Sequence, residues 1–226
     1  QSSIPPRTSP QLTRDGRLLF WNSGSGNPSG FSGLSANSLH FIDTGRREYL
    51  DSIYVVPGFG TPSPIPRMPS FDATGTKIVY LAGPVTPMVC FRSLDEFRPH
   101  NLGTNYAAAG ISLDGRFAVM ASQAPPAGPR LEFISLPDRA RSQILLDSTM
   151  SNLLERPLSF SMSTNGDWTT FVSGPNHASS ADTNNMLDIF VAHRPTGTLR
   201  RLTAFQGLGA SHPVISPDGS FILFNG

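Results

Sequence analysis

Ser216-Pro217-Asp218-Gly219-Ser220-Phe221-Ile222-Leu223-Phe224 is a tight polar turn that runs directly into an unbroken apolar strand. The hydroxyl and the carboxylate stand two residues apart, where each can accept a backbone N–H, and the glycine takes positive φ at least steric cost. The arrangement occurs five times without gaps: Leu12-Thr13-Arg14-Asp15-Gly16, Phe71-Asp72-Ala73-Thr74-Gly75, Ile111-Ser112-Leu113-Asp114-Gly115, Met162-Ser163-Thr164-Asn165-Gly166 and Ile215-Ser216-Pro217-Asp218-Gly219. The intervals between the glycines are unequal, so the loops differ while the module persists. Internal repetition of this kind decides an architecture before any single element does.

An apolar run follows each turn: Leu18-Leu19-Phe20-Trp21, Ile78-Val79-Tyr80-Leu81, Phe117-Ala118-Val119-Met120, Phe171-Val172 behind Trp168, and Phe221-Ile222-Leu223-Phe224. None alternates apolar with polar, so each predicts a strand covered on both faces. Four copies then continue into a second hairpin. Its first strands are Ser38-Leu39-His40-Phe41-Ile42, Met88-Val89-Cys90-Phe91, Leu131-Glu132-Phe133-Ile134 and Asp188-Ile189-Phe190-Val191, and each copy ends in a more polar strand such as Thr198-Leu199-Arg200-Arg201-Leu202-Thr203. The module therefore has a short inner strand, a buried strand and an exposed hairpin. Four-stranded sheets repeated around an axis make a β-propeller.

The expected fold is all-β: a propeller of four-stranded antiparallel blades in one domain spanning residues 1–226, with blades beginning near residues 9, 68, 108, 159 and 212. Four blades are complete and the fifth stops after its second strand. Gln1 to Pro10 contain Ile4-Pro5-Pro6, a poor strand because proline removes a ladder donor. These residues are therefore not expected to complete the fifth blade, and the chain reads as part of a larger propeller.

The turn and strand from Ser216 to Phe224 resemble the WD40-like, TolB-type propeller repeat, whose signature is Ser-Pro-Asp-Gly before an apolar strand. The stretch from Asp182-Thr183-Asn184 through Asp188-Ile189-Phe190-Val191 to Thr203 resembles the later part of such blades. The resemblance covers nearly the whole chain. It departs where the turn becomes Asp-Ala-Thr-Gly or Ser-Thr-Asn-Gly. It implies a propeller fold, protein partners and a periplasmic or extracellular setting, and it is close to silent on chemistry.

Composition narrows the function classes. Net charge is +1 with the charges scattered, which argues against a nucleic-acid surface. The apolar runs are far shorter than the roughly 20 residues a membrane-spanning helix needs. Glycine and proline, 21 each, suit many turns. Lys77 is the only lysine among 17 basic residues, a bias ascribed to GC-rich coding. Cys90 is alone, so it forms no internal disulfide, and its apolar surroundings mark it as a small buried hydrophobe. The chain begins at Gln1, which fits a mature secreted chain or a fragment equally.

The inner strands of a propeller line its channel, so binding residues are sought just before each turn. Ser9, Met68, Ala108, Ser159 and His212 align there, one step ahead of Pro10, Pro69, Ala109, Phe160 and Pro213. His212 is the one titratable side chain among them and could bind a ligand or move a proton; a solvated histidine before proline is the plain alternative. Ser9, Met68, Ser159 and His212 are the candidate binding residues. Asp15, Gly16, Gly75, Asp114, Gly115, Asn165, Gly166, Asp218 and Gly219 are assigned to the turns.

No metal or cofactor is expected. The five histidines lack metal-ligand spacing; Asp182, Asn184 and Asp188 offer calcium-type oxygens, which turn formation explains equally well. The loop from Gly24 to Gly33 lacks the Gly-Lys-Ser/Thr ending of a phosphate loop, and no Gly-x-Ser-x-Gly elbow occurs. The pairs Arg46-Arg47 and Arg200-Arg201 are expected to be solvated charges on outer hairpins. These features point to a non-catalytic module that binds a protein or peptide at the channel mouth or blade loops. The alternatives are the propeller part of a prolyl-oligopeptidase-type hydrolase, whose catalytic domain would lie outside this chain, and a propeller lyase with converging metal-ligand histidines.

Overall fold

The structure is a computed structural model. It describes residues 11–12, 18–22, 38–43, 48–54, 67–82, 88–93, 95–96, 99–122, 130–146, 160–173, 186–205 and 209–226, with side chains from Ser70 onward except that of Ala82. The described strands form five antiparallel sheets. The first holds β1 (Gln11–Leu12), β2 (Leu18–Asn22), β3 (Ser38–Asp43) and β4 (Glu48–Tyr54). The second holds β5 (Arg67–Phe71), β6 (Lys77–Ala82), β7 (Met88–Ser93) and β8 (His100–Thr104). The third holds β9 (Tyr106–Ile111), β10 (Phe117–Ser122), β11 (Arg130–Ser135) and β12 (Arg141–Leu145). The fourth holds β13 (Ser161–Met162), β14 (Trp168–Ser173), β15 (Asp188–His193) and β16 (Thr198–Arg201), and the last pairs β17 (Ser211–Ile215) with β18 (Ile222–Asn225). Within each sheet the strands lie side by side in sequence order. These are the four blades and the half blade that the repeat predicts. Gln1–Pro10, whose pairing would bear on the last blade, lie outside the described residues.

The recurrent turn has the same chemistry in each described copy. In the third sheet Ser112 Oγ donates to Asp114 Oδ1 (2.7 Å) and accepts from Phe117 N (3.0 Å), while Arg116 N donates to Asp114 Oδ1 (3.0 Å). Ser163 and Asn165 repeat this in the fourth sheet, and Ser216 and Asp218 in the last. The second sheet reverses the parts: Asp72 accepts from Lys77 N (2.9 Å), and Thr74 Oγ1 donates to Asp72 Oδ2 (2.6 Å). One member must accept the strand's N–H and the pair must share one proton, so Asp-x-Thr serves as well as Ser-x-Asp. The altered turns thus keep the register of the others. Gly75, Gly115, Gly166 and Gly219 all have φ between 68 and 77°.

The buried strand β10 separates two cores. Val119 and Ala121 of β10 pack with Phe133, Met162, Phe171 and Phe190 towards the fourth sheet. Ala118 and Met120 of the same strand pack with Val79, Leu81, Phe91 and Leu102 towards the second. Both sets are fully buried, which is why the run does not alternate. Burial of one large apolar side chain contributes roughly 1.5–3 kcal/mol, and here both faces of the strand supply it. Cys90 is buried as expected; burial pushes its thiol up to about 11 against a smaller opposing effect of the Tyr80 hydroxyl.

Backbone hydrogen bonds also join successive turns. Ala73 N donates to Leu113 O (2.7 Å), Asp114 N to Thr164 O (3.0 Å) and Thr164 N to Pro217 O (2.8 Å). Higher up the inner strands, Ile111 N donates to Ser70 Oγ (3.2 Å) and Ile215 N to Ser161 Oγ (3.0 Å). Side chains close the seams over the glycines. A Cβ on Gly115 would lie 2.8 Å from Lys77 Cδ, one on Gly166 3.0 Å from Phe117 Cβ, and one on Gly219 2.5 Å from Trp168 Cδ1. Lys77, Phe117 and Trp168 each stand two residues after their own turn glycine, so each turn is capped by the sheet before it.

One surface expectation is corrected. Arg200 is exposed, but Arg201 is not a free solvated charge: its Nη2 donates to Asp188 Oδ2 (2.5 Å) and its Nε to Thr203 O (2.8 Å). Side-chain alternation along β16 sends one arginine outwards and folds the other onto a buried carboxylate. Arg46-Arg47 lie outside the described residues.

Candidate functional site

Three of the described inner strands share an irregularity at the place where binding residues were sought. Pairing of β5 with β6 shifts between Arg67 and Ser70, that of β17 with β18 between Ser211 and Val214, and that of β9 with β10 opposite Ala121 and Ser122. In each case the inner strand carries one extra residue. Such a bulge bends the strand and re-aims a side chain, and bulges gather at rims and binding sites.

Met68 and His212 sit within these bulges. Only the backbone of Met68 is described. Ser9 and Ser159 lie outside the described residues, so the structure brings no complete ring of the four candidates together. His212 is exposed and has φ of +53°, a left-handed conformation that costs a non-glycine residue about 1–2 kcal/mol. Its Nδ1 lies 3.1 Å from Ser211 Oγ. The neighbouring Pro213 is buried, as are Ala108 and Ala109 at the aligned positions of the third sheet. A polar ring is thus held out by strained backbone beside an apolar inner wall. This supplies a hydrogen-bonding contact and little else.

Most of the described serines, histidines and carboxylates near the turns and seams are engaged. Ser112, Ser163 and Ser216 each donate to an Asx oxygen and accept a strand N–H. His100 pairs with Glu96 (2.6 Å) on the exposed outer edge, while His193 bonds Thr196 (2.8 Å) and stacks on Trp168 with ring centroids 4.0 Å apart. Asp188, one of the three oxygen residues weighed for calcium, is buried and accepts from Arg201 and from Thr203 Oγ1 (2.9 Å). Asp182 and Asn184 lie outside the described residues. Among the described residues no three His, Cys, Asp or Glu side chains gather as metal ligands.

A second polar cluster was not legible in the sequence. Glu132, quoted there only as part of an apolar strand, is buried and accepts from Tyr106 Oη (2.8 Å) and Arg141 Nη1; Arg141 Nη2 donates to Leu102 O of the preceding sheet (2.6 Å). Burial, then the hydrogen bond to Glu132, raises the Tyr106 hydroxyl above its ordinary value. The cluster ties the second and third sheets at their outer ends. It borders a cavity of about 260 Å³ lined by His100, Asn101, Leu102, Ile134, Arg139 and Arg141. No local motif announces it, because its members come from four strands.

No family model matches this sequence, and no curated protein matches it. Solved structures do. The chain is similar to TolB from Acinetobacter baumannii, with a TM-score of 0.58 and 16% identity over 96% of this chain and 48% of the other. It is similar to a protein assigned as TolB from Agrobacterium tumefaciens, with a TM-score of 0.61 and 15% identity over 98% of this chain and 70% of the other. The β-propeller domain of the Trilobed protease from Pyrococcus furiosus, described with an open velcro topology, gives a TM-score of 0.57 and 12% identity over 97% of this chain and 63% of the other. The chain has the β-propeller fold, and it spans about half the length of the Acinetobacter protein.

Proposed function

We propose that this chain is a non-catalytic propeller module that holds a protein or peptide partner at the inner ends of its blades, with His212, Met68, Ser9 and Ser159 contributing to the contact rim. The observation that carries the reading is the division of labour among polar side chains. Ser112, Ser163 and Ser216 are spent on turns and Asp188 and Glu132 on buried pairs, whereas His212 is exposed and held in a strained backbone at an inner-strand bulge. Strain of this kind concentrates at functional positions. The resemblance to TolB-type repeats supports a periplasmic or extracellular setting, which fractionation of a producing cell would check.

The test is selection of peptides on the immobilised chain followed by affinity measurement. His212→Ala should weaken the selected peptides at least about tenfold, the loss of one good contact of roughly 1.4 kcal/mol, while Thr198→Ala on an outer hairpin leaves them unchanged. Peptides insensitive to position 212, or turnover of activated ester or prolyl-amide substrates by the chain, would count against the reading. A second reading is favoured by the likeness to a protease's propeller domain: these blades would gate a separate hydrolase domain. That reading requires a Gly-x-Ser-x-Gly elbow in an α/β pattern elsewhere in the same polypeptide.

A further inference from the structure

The cavity between the outer ends of the second and third sheets has an arginine on its wall at a position that suits glycine. Arg139 stands in the turn between β11 and β12 with φ of +64°. Ser135 pairs with Phe117 as His193 pairs with Trp168, so the fourth sheet holds Gly197 at the same place, with φ of +68°. A Cβ at Gly197 meets nothing within 4 Å, so packing sets no demand for a side chain there. Glycine takes this conformation at least cost and arginine is strained in it. Strain of this kind persists where a ligand is clamped. The turn delivers an exposed guanidinium to the cavity wall. Arg139 Cζ lies 5.5 Å from the centre of the buried Phe91 ring, and no oxygen among the described residues accepts from its guanidinium. Carboxylates of the neighbouring segments are committed elsewhere. Asp138 accepts from Ala140 N (3.0 Å) and the Ser135 hydroxyl, Glu96 meets His100 (2.6 Å), and Glu132 accepts from Tyr106 and Arg141. On the opposite wall, Asn101 Oδ1 accepts from Gly103 N (2.8 Å), which leaves its amide nitrogen as a donor. Leu102 and Ile134, both buried, give the cavity an apolar side.

We infer that this cavity binds a peptide carboxylate, with Arg139 as the anchoring cation and Asn101 as a neutral donor. The guanidinium fork matches the two oxygens of a carboxylate and holds them by paired, charge-assisted N–H bonds. Arg141 also lines the cavity, but its charge is answered by Glu132, so the unbalanced charge is that of Arg139. Leu102 and Ile134 suit the apolar stem that an organic acid brings and that inorganic sulfate or phosphate lacks. At about 260 Å³ the cavity is smaller than the roughly 300–1,000 Å³ of a drug-sized ligand site, so it takes one acidic group and its stem. That group is a chain terminus or an acidic side chain. The site lies on outer strands, away from the inner-strand rim at His212, and is independent of the reading made there.

The test is a titration of the full chain followed by backbone amide NMR shifts. N-acetyl-leucine stands for a chain terminus and the α-amide of N-acetyl-glutamate for an acidic side chain; N-acetyl-leucinamide and sodium sulfate are the controls. At least one of the two acids is expected to shift Asn101, Arg139 and Arg141 with a Kd on the order of 1 mM, as ligand efficiency allows for molecules of this size, and the tighter one identifies the source. The last sheet should not respond. Arg139→Gly should weaken that acid at least about tenfold while the melting temperature holds or rises, because glycine relieves the turn. Arg139→Lys, which keeps the charge without the fork, should lose less. Equal binding of the uncharged amide, an unchanged affinity in Arg139→Gly, or a lower melting temperature in that variant would overturn the inference. Sulfate binding as tightly as the better acid would overturn it too, and would assign the cavity to small anions at large.

Discussion

Replacing two glycines by alanine separates the strain of a turn from the packing of a seam. Gly166 and Gly197 have nearly the same backbone, φ of +69° and +68°. A Cβ at Gly197 meets nothing within 4 Å, whereas one at Gly166 stands 3.0 Å from Phe117 Cβ and 3.2 Å from Ser112 Cβ. Gly197→Ala therefore carries only the left-handed penalty, about 1–2 kcal/mol. Gly166→Ala carries that penalty and an overpacking cost of roughly 1–3 kcal/mol, because the atoms it meets are anchored next to the backbone of the third sheet and cannot swing aside. The gap between the variants should be about 2 kcal/mol, or a melting temperature lower by roughly 4–8 °C for a chain of this size. Urea unfolding followed by circular dichroism, with fluorescence of Trp168 stacked on His193 as a reporter in the fourth sheet, measures both. Equal losses would refute the claim that the seam, and not the turn alone, demands glycine at position 166.

Three further outcomes follow from the same geometry. Arg201→Ala should cost about 3 kcal/mol, since it strands the Asp188 carboxylate in a buried site, while Arg200→Ala should lie within about 0.5 kcal/mol of the parent in the same unfolding assay; similar losses from the two would be evidence against the buried pair. In the second sheet, Asp72→Ser and Thr74→Asp should each cost about 1 kcal/mol, yet together rebuild the Ser-x-Asp turn and recover most of the loss. A double-mutant cycle reads that coupling, and strict additivity would contradict it. Hydrogen bonds from the Ser216 hydroxyl, the Ser220 amide and the Ser220 hydroxyl hold the Asp218 carboxyl down to about 2, from an ordinary 3.8. A carboxyl depressed on folding favours the folded turn above about pH 4 and loses that contribution as pH falls through about 2. A carboxyl titration by NMR should therefore place Asp218 near 2, and Ser216→Ala should return it towards 3.8; a midpoint that does not move would rule out the serine as the cause.

The sequence was most legible where a local motif carries the whole requirement. Turn chemistry and a non-alternating apolar run are both set by neighbours within about ten residues, so sheets and inner-to-outer strand order could be read from Gly75, Gly115, Gly166 and Gly219 outwards. Two features escaped because they are built across strands far apart in the sequence. Glu132 looks like one polar residue in an apolar strand, and nothing near it tells that Tyr106 and Arg141 converge on it. Arg201 and Arg200 are the same residue type side by side, and only the partner strand decides which one meets Asp188. At the candidate site, position could be read from the repeat, but the bulge and the positive φ of His212 belong to pairing with β18, which no single segment encodes.

The turn-to-turn hydrogen bonds all point one way, each turn donating to the next in sequence order. A molecule joined by nearest-neighbour links behaves as a one-dimensional array, in which loosening one member mainly affects those on either side. Amide exchange should accordingly be graded along the chain, slowest in the third and fourth sheets, which have neighbours on both flanks, and faster towards the last. Loosening the link from Thr164 to Pro217 should therefore speed exchange in the last sheet and leave that of the second and third unchanged.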